Sequence, residues 1–211
     1  MDHYSELYSR MNVVSEETLM AMESLPIMDE FDSEPTLLED INQALDQLSS
    51  GKVPGNDGIP VEVIKCAKGT LLKELHEILC QCWREGEVPQ DMRDANIVTL
   101  YKNKGDRGDC NNYRGISLLN IIGKLFAKVV LMKLRVLAER IYPESQCGFR
   151  GKRATIDMIF SLRQLQEKCR DQGKPLYVAF IDLTKAFDLV SRDGLFKILV
   201  RSVVLLPYSA S

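Results

Sequence analysis

The residues best placed to do chemistry follow a short apolar run. Val178, Ala179, Phe180 and Ile181 read as a short buried strand that ends abruptly in Asp182, with Lys185 and Asp188 close behind. A carboxylate at the C-terminal end of a buried strand is held rigidly at a sheet edge, where ligands often sit in α/β architectures. Such a hard oxygen donor suits Mg²⁺, which is commonly held by one or two carboxylates together with substrate phosphates. On spacing alone, a cap on the following turn is a slightly better reading of Asp182.

The elements around this run are mostly helical. SEETLMAMES, residues 15 to 24, predicts a short helix capped by Ser15, with Glu16 and Glu17 in its first turn. A second begins at Thr36, where TLLE fits a capping box and Leu38, Ile41, Leu45 and Leu48 recur at helical spacing. KVPGNDGIP, residues 52 to 60, is a loop enforced by prolines and glycines, followed by a turn or two of helix over 61 to 67. Leu71, Leu72, Leu75, Ile78, Leu79 and Cys82 make an amphipathic helix closed by Gly86 and Pro89.

The pattern then changes period. ANIVTLYK (95 to 102) and YRGISLL (113 to 119) are strand-like and flank the turn-rich NKGDRGDCNN, which together predict a basic hairpin. Residues 121 to 140 form a long amphipathic helix carrying Lys124, Lys128, Lys133 and Arg135. A basic loop, SQCGFRGKRAT, leads to a helix ending at Gly173, and Ser191 caps a last helix, RDGLFKILV. The fold class is therefore α+β, helix-rich, with a sheet too small to stand alone.

Charge is unevenly spread. Residues 1 to 50 hold twelve acidic side chains and one basic one, a net of −11, while residues 51 to 211 hold 26 basic and 18 acidic, a net of +8. The basic body is suited to a polyanion, and residues 1 to 35 read as an acidic connector, partly helical or disordered. No apolar run is long enough to span a membrane, and the N-terminus lacks the basic and apolar regions of a signal peptide. The six cysteines are accordingly expected to stay reduced in a nuclear or cytoplasmic compartment, with no disulfide-linked partner. Cys80 and Cys82 point in different directions on their helix, and with only His76 and His3 to supplement them they read as small apolar fillers, not zinc ligands.

FIDLTKAFDLV (180 to 190) closely resembles the first catalytic motif of reverse transcriptases encoded by non-LTR, LINE-like retrotransposons. GKVPGNDGIPVEVIK resembles the opening segment of such domains, IVTLYKNKGDRGDCNNYRGISLLNIIGKLFAKVV their fingers hairpin and following helix, and QCGFRGKRATIDMIFSLRQL the next block. Four blocks in the same order span residues 36 to 200, and the leader HYSELYS looks like the connector ahead of the polymerase. The resemblance implies a partial right-hand polymerase, fingers plus an incomplete palm, acting on an RNA template, a DNA primer and a dNTP with Mg²⁺. Asp182 would bind magnesium with the backbone carbonyl of Leu183, and Phe187 would be the steric gate under the sugar, against the plainer reading of a core Phe. Arg114 and Lys102 or Lys104 would grip the triphosphate, Arg114 best of the three because its fork holds phosphate bidentately, while Lys102 and Lys104 read equally well as a solvated hairpin tip. Gln146, Gly148, Phe149 and Arg150 would contact the template, and Asp188 would be structural.

The resemblance is incomplete. The family's paired-aspartate motif has no counterpart, since no Asp-Asp dipeptide occurs in the sequence, and Asp193 belongs to the first turn of the last helix. Residues 201 to 211 look foreign to the family, and no endonuclease precedes residue 36. The expectation is a truncated polymerase domain without activity on its own. A non-catalytic nucleic-acid-binding module, or a relic without a selected role, is the alternative. A half-palm strand without sheet neighbours also invites aggregation.

Overall fold

The computed structural model describes residues 14–23 and 38–202. The capping box at Thr36, most of the acidic connector and the tail after Ser202 lie outside the described residues. The architecture is α+β: eight α-helices and one two-stranded antiparallel sheet among the described residues. In order these are α1 (Glu16–Glu23), α2 (Leu38–Gln47), α3 (Val61–Cys66), α4 (Lys68–Glu85), α5 (Gln90–Arg93), β1 (Ala95–Tyr101), β2 (Tyr113–Leu119), α6 (Ile121–Ile141), α7 (Thr155–Asp171) and α8 (Arg192–Ser202). No described helix is long and apolar enough to cross a membrane.

The described residues divide into two compact units, one formed by residues 14–23, 38–134 and 188–202, the other by residues 135–187. The core belongs to the first. Ile41, Ala44 and Leu45 of α2 pack with Val61 and Ile64 of α3, Leu75, Leu79 and Cys82 of α4, Met92 of α5, and Ile121, Leu125 and Val129 of α6. Burying such side chains contributes about 1.5–3 kcal/mol each. Polar groups close the seams between helices. Lys65 Nζ donates to the Leu48 carbonyl at 2.6 Å, just past the end of α2, and Lys68 pairs with Asp46 at 2.6 Å.

Four helix ends have a local cause. Ser15 Oγ accepts the Thr18 N–H at 3.3 Å and caps α1, and Ser191 Oγ accepts the Gly194 N–H at 3.3 Å and caps α8. Gly86, at φ 68°, ends α4 in the left-handed conformation that favours glycine. Asn120 Oδ1 accepts the Gly123 N–H at 2.6 Å at the start of α6, while its amide donates to the Asp91 carbonyl. Gly123 is glycine for space: a Cβ there would run into the carbonyl of Met92.

The hairpin forms in the predicted place, with Ala95 opposite Leu119 and Tyr101 opposite Tyr113. The expected buried strand over 178–181 does not form. Residues 174–183 adopt no regular secondary structure and have no sheet partner, and Phe180 and Ile181 are 87% and 85% exposed. A strand is stabilised by ladder bonds to a neighbour, and the two described strands pair only with each other. Apolar side chains of α7, among them Ile156 and Phe160, are exposed as well.

Candidate nucleotide and nucleic-acid interface

The hairpin tip is organised from within. Asp106 Oδ1 accepts the Gly108 N–H and Asp109 Oδ1 the Asn111 N–H, each at 2.9 Å, the side-chain-to-backbone turns that favour Asp in such loops. Tyr101 and Tyr113 face each other across the strands with ring centroids 5.4 Å apart. Their hydroxyls donate back to the carbonyls of Gly105 at 2.6 Å and Arg107 at 3.0 Å. The Arg107 guanidinium stands 5.2 Å from the Tyr101 ring centroid, a cation–π arrangement.

These contacts sort the expected phosphate-binding cations. Lys102 Nζ donates to the Asn111 carbonyl at 2.8 Å and so helps close the tip. Lys104 is exposed in the turn, and Arg114 is exposed on β2 opposite Leu100. Arg107 joins them as a cation not singled out from sequence; its place among turn residues gave no periodic signal.

The template-side candidates lie in the second unit. Gln146 donates to the Gly148 carbonyl at 3.1 Å, bracing its own turn. Arg150 bonds Glu139 at 2.9 Å and the Pro143 carbonyl at 3.1 Å, and its guanidinium lies 5.9 Å from the Tyr142 ring centroid. Its side chain is 11% exposed, so it ties α6 to the following loop. Phe149 adopts φ 59°, a left-handed conformation costly for an aromatic residue, and is 85% exposed. Phe187, 76% exposed, meets it edge to face with centroids 5.5 Å apart. The fold thus joins a residue expected at the template with one expected at the nucleotide sugar.

Asp182 and Leu183 are exposed at the end of the irregular segment 174–183, Asp188 is exposed beyond it, and Asp193 lies in the first turn of α8. Among the described residues no group of three or more His, Cys, Asp or Glu side chains gathers as metal ligands. Mg²⁺ demands near-octahedral oxygen coordination. The described donors do not complete such a site.

Comparison with known proteins bears on this arrangement. The family model described as reverse transcriptase (RNA-dependent DNA polymerase) matches residues 101–205. A Xenopus laevis protein, the transposon TX1 uncharacterized 149 kDa protein, is 32% identical over 195 residues, 92% of this chain and 14% of its own length. The probable RNA-directed DNA polymerase from transposon BS of Drosophila melanogaster is 28% identical over 195 residues, 92% of this chain and 21% of its own length. The RNA-directed DNA polymerase from mobile element jockey of Drosophila funebris is 27% identical over 182 residues, 84% of this chain and 20% of its own length. The chain therefore spans about a fifth or less of these relatives. Residues 101–205 carry reverse transcriptase family sequence, and the chain as a whole resembles the polymerases of non-LTR retrotransposons.

Proposed function

We propose that this chain is the nucleic-acid- and nucleotide-gripping part of an RNA-directed DNA polymerase domain, and that as an isolated polypeptide it binds without extending. The observation that carries the reading is the hairpin, whose internally braced tip carries Lys104 and Arg107, with Arg114 exposed beside it on β2. Clustered cations on such an element suit a phosphate backbone or a triphosphate. Support also comes from the family match over residues 101–205, which takes in the hairpin tip, β2 and Asp182.

Inactivity of the isolated chain follows from the chemistry of two-metal phosphoryl transfer, in which both ions need carboxylate donors. Asp182 is the single aspartate at the motif position, and the 211-residue sequence contains no Asp-Asp pair. Magnesium then binds this chain weakly, through Asp182 and the Leu183 carbonyl at most.

Two assays test the reading. In primer extension with an RNA template, dNTPs and Mg²⁺, the isolated chain yields no product; product abolished by Asp182→Ala would overturn inactivity. In a titration of a labelled RNA–DNA hybrid, the logarithm of affinity falls steeply with log salt. Absence of binding at low salt would remove the binding function and leave the relic.

A further inference from the structure

Among the described residues the hairpin has no other strand to lean on, so its direction is set at its base, where β1 begins and β2 runs into α6. Three consecutive loop residues meet that base. The backbone at Gly55 lies so close to Leu119 and Asn120 that an added Cβ would sit 2.5 Å from their backbone atoms. Asn56 Oδ1 accepts a hydrogen bond from the Asn96 side-chain amide at 2.8 Å, on the second residue of β1. Asp57 Oδ2 accepts the Ile121 N–H at 3.2 Å, in the first turn of α6, while its Oδ1 accepts the Ile59 N–H at 3.2 Å and stiffens the loop itself. A fourth bond returns from the helix, Lys124 Nζ to the Val53 carbonyl at 3.3 Å.

We infer that Gly55-Asn56-Asp57 is a positioning clamp: it grips the exit of β2, the entry of β1 and the start of α6 at once, and so fixes the direction in which the hairpin presents its cations. The inference rests on the proposed nucleic-acid reading for its consequence, though not for its geometry. Each residue type has a separate reason. Only glycine admits the backbone approach at 55, an amide oxygen at 56 matches the amide donor of Asn96, and a carboxylate at 57 has two oxygens for two N–H donors facing different ways. A negative charge at a helix N-terminus is also favoured by the helix dipole. Asn56 and Asp57 are positioning residues and need not touch the ligand.

The test compares the full chain with Asn56→Ala/Asp57→Ala, Asp57→Asn, and Leu75→Ala, a core truncation in α4 that lowers stability without touching the clamp. Two quantities are read: affinity for a labelled RNA–DNA hybrid across salt concentrations, and ¹⁵N order parameters of the β1 and β2 amides without ligand. The clamp predicts an affinity loss of about tenfold or more and a shallower salt dependence for the double variant, with order parameters falling together along both strands. Asp57→Asn keeps one of the two carboxylate bonds and recovers part of the affinity, whereas Leu75→Ala keeps the native salt slope. Order parameters unchanged in the double variant would overturn the clamp, as would an affinity loss no larger than that of Leu75→Ala. If the native chain does not bind the hybrid, the proposed function fails and takes the binding consequence with it; the order parameters still decide the clamp.

Discussion

Phe149 and Phe187 meet edge to face with centroids 5.5 Å apart, although both rings are largely exposed. An edge-to-face pair is worth about 0.5–1.5 kcal/mol beyond its buried area, and exposure puts this one at the low end. A double-mutant cycle of Phe149→Ala and Phe187→Ala in chemical denaturation is expected to return about 0.5 kcal/mol of coupling. Zero coupling would mean that the rings do not meet in solution.

Arg150 should behave as a staple. Its guanidinium is committed to Glu139 and to the Pro143 carbonyl, so Arg150→Ala is expected to cost about 1–3 kcal/mol locally through lost charge-assisted hydrogen bonds. Amide exchange over residues 139–150 should rise. The salt slope of hybrid binding should stay as in the native chain; a slope reduced by a full phosphate contact would show the guanidinium free to meet nucleic acid.

The hairpin cations should divide. Lys104→Ala and Arg114→Ala are each expected to reduce the salt slope by about 0.7–0.9. Lys102→Ala should reduce it less, since its ammonium already serves the Asn111 carbonyl. Equal effects from all three would show that Lys102 leaves that carbonyl to bind phosphate.

Two groups give stability a pH dependence of opposite sense. The Gly51 N–H donates to Glu62 Oε1 at 2.5 Å and holds that carboxyl below its ordinary 4.5. Its contribution is present above about pH 4.5 and is lost as pH falls through the lowered value. Glu62→Gln should flatten that acid limb in thermal unfolding; an unchanged limb would place its origin elsewhere.

Burial raises the Cys82 thiol above its ordinary 9.0. The stabilisation from keeping it neutral is complete below about pH 9 and is lost as pH rises through the folded value. In alkylation near neutral pH, Cys66 and Cys110, both exposed, should react first, with Cys82 slow until the chain unfolds. Fast labelling of Cys82 in the folded chain would contradict its burial.

Where local chemistry decides, the structure was legible. Gly86 marks the end of α4, the turn residues after Tyr101 mark the hairpin, and Ser15 and Ser191 cap the helices they precede. The single turn of α5 escaped because four residues carry no period to detect. Residues 178–181 misled for a different reason: β-branched and aromatic content signals a strand, but a buried strand also requires neighbours to pair with and pack against. The commitments of Lys102 and Arg150 were equally unreadable, because a cation's partner is fixed by tertiary placement and not by its own type. The site residues were placed by family resemblance more than by pattern.

Gly123 has a genetic consequence. A single base change in a glycine codon either leaves glycine, stops translation or writes a residue with a Cβ, and any Cβ at 123 meets the Met92 carbonyl. Random drift therefore has no gentle missense path at this position. A drifted sequence that keeps glycine there retains the close approach of α6 to α5; one that has lost it must move backbone to survive.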